Sequence, residues 1–348
     1  MSKVGIITMY SKNNFGNKLQ NYALKKILEN DFEAEVFTIV KKKFDFDLLV
    51  KNLIRKILST NGYKRESLFS IFDKRLNIVK WKKARKAGLD YIVVGSDQVW
   101  NYMLDDFDEC LFFAKGFDGS KKISYAASIG VPEIDIDKIG VFVKGLKEFK
   151  NISVRETVAG EELNKIIKNK NIETVLDPTM LLDVDDWREI EKKPHGVTTE
   201  RRFILLYCLG DLSSTLKNEV AKVSEQYDCE IVNIFDKNNE YYVNGPEEFL
   251  WFIDHAFLVC TDSFHASAFS FLFEKPFLVF DRKEKRMDNL ASRIDTLIEK
   301  FELKNRRFDG VIRDENLIVD YSIGKENLEK EREKSLKFLK DALETKKQ

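Results

Sequence analysis

Short apolar runs punctuate the chain at Val4–Tyr10, Ala34–Val40, Tyr91–Val94, Ile123–Ala126, Ile152–Val154 and Thr174–Leu176, and each reads as a strand. Between them the apolar positions change period. Phe15, Leu19, Tyr22, Ala23 and Ile27 recur at helical spacing, which predicts a helix over Leu19–Leu28. Residues 46–86 read as helical and basic, with no clear strand. From Asp183 to Arg202 the pattern turns polar and carries the turn signal Lys193-Pro194-His195-Gly196. The alternation then restarts at Phe203–Cys208, Glu230–Phe235, Phe257–Cys260 and Phe277–Phe280, and a charged helical stretch from Lys325 to Thr345 ends the chain. Strand–helix alternation of this kind predicts parallel, doubly wound sheets. The expected fold is α/β, with two Rossmann-like domains facing a central cleft. The expected domains are 1–185, 200–323 and a C-terminal helix over 324–348 that packs back on the N-terminal domain.

Composition narrows the class. At about 150 residues per domain, 348 residues suit two domains. Lys plus Arg and Asp plus Glu are both 58, so the chain is not a globally basic nucleic-acid binder. Hydrophobic residues at 43% and charged residues at 33% suit a soluble protein with a real core. No apolar run approaches the roughly 18 residues needed to span a bilayer. Met1–Ile7 enters a strand directly and lacks the layout of a secretory signal. Cys110, Cys208, Cys229 and Cys260 are widely spaced, which is the expectation for core cysteines in a reducing cytoplasm. His195, His255 and His265 show no zinc-ligand spacing. Dinucleotide, P-loop and nucleophile-elbow motifs are absent. The Asp-x-Asp pairs at Asp45/Asp47, Asp135/Asp137 and Asp183/Asp185 read as chance in so charged a chain.

Three segments interrupt the strand–helix grammar with polar residues. In Tyr10–Leu24, amides and a glycine follow a strand and open a helix. Asn14, Gly16, Asn17 and Gln20 there serve either a hydroxyl-bearing ligand or an N-cap and turn. In Asp90–Asn101, four apolar residues end in Gly95-Ser96-Asp97-Gln98-Val99-Trp100. Asp97 and Gln98 could read sugar hydroxyls and Trp100 a sugar CH face; otherwise Ser96 or Asp97 caps a helix. In Leu258–Ser270 a strand stops at Thr261-Asp262-Ser263 and a helix begins, with His265 in its first turn. A helix N-terminus attracts phosphate and favours a neutral, proton-accepting imidazole. His255 and His195 read as structural. Among the arginines, Arg155 directly follows a strand and so sits at a strand carboxyl end, while Arg293, Arg306 and Arg307 carry no such placement.

Six segments in order, Asn14–Leu24, Asp90–Asn101, Lys122–Gly130, Ile152–Glu156, Leu176–Leu182 and Thr261–Ser270, resemble the polysaccharide pyruvyl transferase family. The resemblance runs from about residue 4 to about residue 310. It implies a GT-B-like fold and transfer of a pyruvyl group from phosphoenolpyruvate to a sugar of a cell-surface polysaccharide, commonly as a ketal. It also implies an N-terminal acceptor side and a C-terminal donor side. His265 matches the family histidine of Thr-Asp-Ser-Phe-His, and Arg155 the family arginine after the central strand. Ala266-Ser267 stands where the family often has Gly-Thr, and Ser267 keeps the hydroxyl. His265 and Arg155 are the expected catalytic pair. Arg155, Ser263, His265, Ser267 and Arg293 would bind the donor; Asn14, Gly16, Asn17, Gln20, Asp97, Gln98 and Trp100 would bind the acceptor. The chemistry requires no redox cofactor, and no metal site is identified.

The competing readings are a nucleotide-sugar glycosyltransferase of GT-B type and a non-catalytic sugar-binding module. The expected location is the cytoplasm, with a choice at the membrane. Leu48, Leu49, Leu53, Ile54, Ile57 and Leu58 recur at helical spacing among Lys51, Arg55 and Lys56, and a basic cluster surrounds Trp81. That pattern either lies on the anionic inner face of the membrane or packs on the N-terminal domain.

Overall fold

The computed structural model describes residues 1–41, 60–168, 170–195, 197, 201–281 and 291–344, the side chains of 291–293 excepted. The protein divides into two compact units. Unit 1 comprises Met1–Lys43, Asp73–Leu182 and Leu328–Gln348; unit 2 comprises Phe44–Phe72 and Asp183–Asn327.

Unit 1 is built on seven parallel strands: β1 (Lys3–Ile7), β2 (Glu35–Val40), β3 (Ile78–Lys80), β4 (Tyr91–Val94), β5 (Lys122–Ala127), β6 (Asn151–Val154) and β7 (Ile172–Thr174). Their spatial order is β3-β2-β1-β4-β5-β6-β7. The chain winds outward one way from β1, then returns to β4 on its other side, which makes the β1/β4 edge the topological switch point. Strands β4 and β5 are buried at every residue, so their apolar runs show no alternation. Helix α1 (Phe15–Asn30) is capped by Asn14, whose side chain accepts from Asn17 N at 3.0 Å. Its buried set includes Phe15, Leu19, Ala23, Leu24 and Ile27, but also Asn17, Lys18, Gln20 and Asn21. A helix buried on its polar side as well as its apolar stripe must place those polar groups against partners. Helices α2 (Asn61–Phe72), α3 (Ile136–Leu146) and α4 (Thr157–Ile166) follow in chain order.

Unit 2 repeats the plan with β8 (Phe203–Tyr207), β9 (Glu230–Asn233), β10 (Leu258–Thr261) and β11 (Phe277–Val279), ordered β11-β10-β8-β9 and all parallel. Its switch point is the β8/β10 edge. Its longer helices after Leu182 are α5 (Val184–Ile190), α6 (Ser214–Tyr227), α7 (Pro246–His255), α8 (Phe264–Leu272) and α9 (Ala291–Lys300). Helix α10 (Ser322–Glu344) starts in unit 2 and from Leu328 belongs to unit 1. There Arg332 donates to the carbonyls of Met180 (2.8 Å) and Leu182 (2.7 Å), and Leu176 N donates to Ser335 Oγ (2.9 Å).

Two expectations are corrected, and the choice left open around Trp81 is narrowed. Residues 46–86 do contain a strand: β3 is three residues long at the sheet edge, too short to show a period. Helix α2, expected within 1–185, groups with unit 2. Its Arg65 is buried and donates to the carbonyls of Ile234 and Tyr242, both at 2.9 Å. Trp81, at the centre of the basic cluster, is buried and packs edge-on against Phe117 at 5.0 Å. The amphipathic set from Leu48 to Leu58 lies outside the described residues. Among those described, no helix is long and apolar enough to cross a membrane.

Candidate active site

The polar segments singled out in the sequence fall at the carboxyl ends of the strands flanking the two switch points. In unit 1, β1 is followed by Thr8 and β4 by Gly95-Ser96-Asp97. Gly95 has φ +120°, and a Cβ there would lie 2.1 Å from the carbonyl oxygen of Tyr125, so glycine is required for the chain to leave the strand. Asp97 follows with φ +72° and is buried. Its carboxylate accepts from the Asn17 side-chain amide and from Gln98 N (2.9 Å). Gln20 Nε2 donates to Thr8 Oγ1 at 2.8 Å, and Thr8 Oγ1 donates to the carbonyl of Ser96 at 2.7 Å. The first turn of α1 is thereby tied to the end of β4.

Arg155, the residue after β6, is buried at the same rim. Its NH1 donates to Asp177 at 2.8 Å, its Nε donates to Glu156 at 3.2 Å, and its NH2 lies 4.0 Å from Asp97. Burial opposes its charge, but Glu156, Asp177 and Asp97 outweigh burial and raise its pKa. Asp177 organises this knot. One carboxylate oxygen takes Arg155 and Ser96 Oγ (2.9 Å); the other takes Thr179 N (3.0 Å) and Thr179 Oγ1 (2.8 Å).

In unit 2, the β8 and β10 loops are clamped by Asp262, whose two carboxylate oxygens accept from Leu209 N and Gly210 N, each at 2.8 Å. Thr261 Oγ1 donates to the carbonyl of Tyr207 (2.6 Å) and accepts from Ser263 N (3.0 Å). Ser263 is the N-cap of α8 but makes no side-chain cap bond. All nine residues of α8 are buried, so its polar members are held in place by packing. His265, in the first turn, is 8% exposed and stands edge-on to Phe264 at 5.4 Å. Ser267 Oγ donates back to the carbonyl of Ser263 at 3.0 Å, so its hydroxyl hydrogen is committed within the helix.

Asn17, Gln20, Asp97 and Arg155 are thus joined in one network in unit 1. Ser263, His265 and Ser267 share the start of α8 in unit 2. Asn14 serves as the cap of α1, and Gly16 is buried in the first turn. Gln98 Oε1 accepts from Asn101 Nδ2 at 2.6 Å. Arg293 falls in the first turn of α9 and its side chain is outside those described. Trp100 is corrected: it is fully buried, its indole N–H donates to the carbonyl of Phe112 at 3.1 Å, and it packs on Phe113 and Phe149. No face remains for a sugar. Arg155 stands at the unit 1 rim with its guanidinium shared among three carboxylates.

Sequence reasoning missed Glu156, Asp177, Asp262 and Thr8 as working residues. Asp177 had a local signal, an Asp-Pro pair directly after a strand; Glu156 had none beyond its neighbour. His255 stacks on Trp251 at 4.4 Å and is exposed, as is His195.

Two parallel α/β units with polar loops at both switch points define a GT-B-like protein of two Rossmann-like domains. The fold is similar to a putative UDP-N-acetylglucosamine 2-epimerase from Listeria monocytogenes, at 12% identity over 95% of this chain and 91% of that one (TM-score 0.51). It is also similar to a UDP-GlcNAc 2-epimerase from Methanocaldococcus jannaschii, at 14% identity over 94% and 92% (TM-score 0.50). At these identities the likeness is one of fold. No curated protein matches the chain. The family model for polysaccharide pyruvyl transferase matches residues 14–284, and the chain belongs to that family, a family of transferases.

Proposed function

We propose that the protein transfers a pyruvyl group from phosphoenolpyruvate to the hydroxyls of a sugar in a cell-surface polysaccharide or its precursor. The observation that carries this reading is the family match, which spans both units and includes His265 at the start of a buried helix. The donor is a small dianion or trianion. The unit 2 rim suits it: a helix N-terminus whose capping hydroxyl is not spent on the helix, beside backbone ordered by Asp262.

The chemistry is balanced by two hydroxyls. A proton added to the donor's methylene carbon makes the adjacent carbon electrophilic and converts the methylene to methyl. One sugar hydroxyl attacks that carbon, the C–O bond to phosphate breaks, and a second hydroxyl closes the ketal. Of the two hydroxyl protons, one replaces that given to the methylene and the other leaves with phosphate. His265 is the group we assign to move these protons. The donor is a cytoplasmic metabolite, which puts the reaction in the cytoplasm or at the inner face of the membrane.

The test is a donor screen with purified protein. Phosphate release from phosphoenolpyruvate, with loss of its vinyl proton signals, is expected in the presence of an accepted saccharide. UDP release from UDP-sugars with phosphoenolpyruvate untouched would replace this reading with the glycosyltransferase one.

A further inference from the structure

The unit 1 rim carries three carboxylates, Asp97, Glu156 and Asp177, against the single guanidinium of Arg155. A phosphate or carboxylate placed there would meet a cation already shared and an excess of negative charge, in a setting where burying another charge is costly. The rim is nonetheless not closed on itself. Among the described residues, the buried side-chain atoms with no hydrogen-bond partner include Glu156 Oε2, Gln20 Oε1 and Ser128 Oγ. Glu156 is only 5% exposed, and Gln20 and Ser128 are at 0%. Native proteins leave few buried polar atoms unmatched.

Their placement is ordered. Ala127 pairs with Val154 and bridges to Asp97, so Ser128 stands level with Arg155 on the neighbouring strand. Ser128 N donates to the carbonyl of Asp97 at 2.9 Å. Glu156 follows Arg155, which holds Oε1 and leaves Oε2 as the remaining acceptor. A carboxylate oxygen and an amide oxygen can only accept, and a hydroxyl can do either. Unmatched acceptors in negative surroundings suit a ligand that brings uncharged O–H donors.

We infer that Glu156 is an acceptor-binding residue, its Oε2 receiving a hydroxyl of a neutral saccharide beside Ser128, with Arg155 as the positioning residue that orients it. The inference rests on the reading above for why a saccharide enters the protein.

The test omits phosphoenolpyruvate, so it does not depend on the donor assignment. Saturation-transfer NMR on the full chain would use methyl β-galactoside, methyl β-glucoside and N-acetylmannosamine as neutral probes, with galacturonate and glucose 6-phosphate as anionic ones. Binding of a neutral probe in preference to the anionic ones is expected. Glu156→Gln keeps the Oε1 contact and should weaken neutral binding about tenfold, the scale of a hydrogen bond to a charged group. Ser128→Ala should weaken it less, with the melting temperature held. Neutral probes that fail to bind, anions that bind as well, or folded variants that bind like the parent would each overturn the proposal. Loss of phosphate release from phosphoenolpyruvate, with saccharide binding intact, would instead strike the donor reading.

Discussion

The two switch points share a topology and differ in chemistry. In unit 1 the rim is a knot of buried charges, with Asp97, Glu156 and Asp177 around Arg155. In unit 2 the equivalent rim is mostly hydroxyls and imidazole, Thr261, Ser263, Ser267 and His265, with the Asp262 carboxylate turned onto backbone N–H groups. Parallel strands fix where the loops meet; the side chains decide which ligand each meeting place tolerates. A net-negative knot rejects anions, whereas ordered backbone at a helix start accepts them.

The largest effect should come from unit 2. His265→Ala removes from the first turn of α8 the imidazole that we propose moves protons, at a position where alanine is a good helix former. Turnover should fall by about a hundredfold or more, the usual contribution of a general acid–base, with the melt preserved. Parental turnover in folded variant would remove His265 from the chemistry. Next come the two organising carboxylates, read by denaturant unfolding. Asp177→Ala strips the buried Arg155 of its closest carboxylate and should cost about 3–5 kcal/mol. Asp262→Ala leaves the Leu209 and Gly210 N–H groups to find other acceptors and should cost about 1–3 kcal/mol. Equal costs would mean that the unit 1 knot is no more charge-dependent than the unit 2 clamp.

Much of this was legible before the structure. Tyr91–Val94 is read to the residue, and His265 is placed at the start of its helix, because local apolar runs and caps carry those signals. What was not legible is long-range. The partners that give Arg155 its role lie at positions 97 and 177, on the ends of other strands, and only the sheet order brings them to it. Trp100 misled because an aromatic beside polar residues looks like a sugar platform, while its ring turns inward to Phe113 and Phe149. Helix α2 misled because chain order places it before the polar break, yet Arg65 anchors it to carbonyls more than 160 residues later.

Unit 2 has a charged cluster too, but at the other end of its sheet. Glu191, at the end of α5, lies with Asp254 and His255, at the end of α7, so that one possible ligand atom from each falls within 4.8 Å of the others. His255 precedes β10, so the cluster is at the amino end of that strand, away from His265. Arg188 holds Asp254 with two bonds, at 2.8 and 3.1 Å, and Lys275 stands 3.7 Å from it. Burial, reinforced by the Asp254 charge, pushes the Glu191 pKa up from 4.5 to about 7, against the pull of Arg188 and Lys275. An acid with a raised folded pKa binds more protons folded than unfolded, so its stabilising contribution is complete below 4.5 and is lost as pH rises to about 7. After discounting for solvent screening, the loss should be on the order of 1 kcal/mol. Denaturant unfolding at pH 5 and pH 8 reads it as the difference between parent and Glu191→Gln. The variant should lose part of the parent's decline. Equal declines in the two proteins would show that Glu191 ionises as freely folded as unfolded. The charge of unit 2 would then have no energetic counterpart to the knot around Arg155.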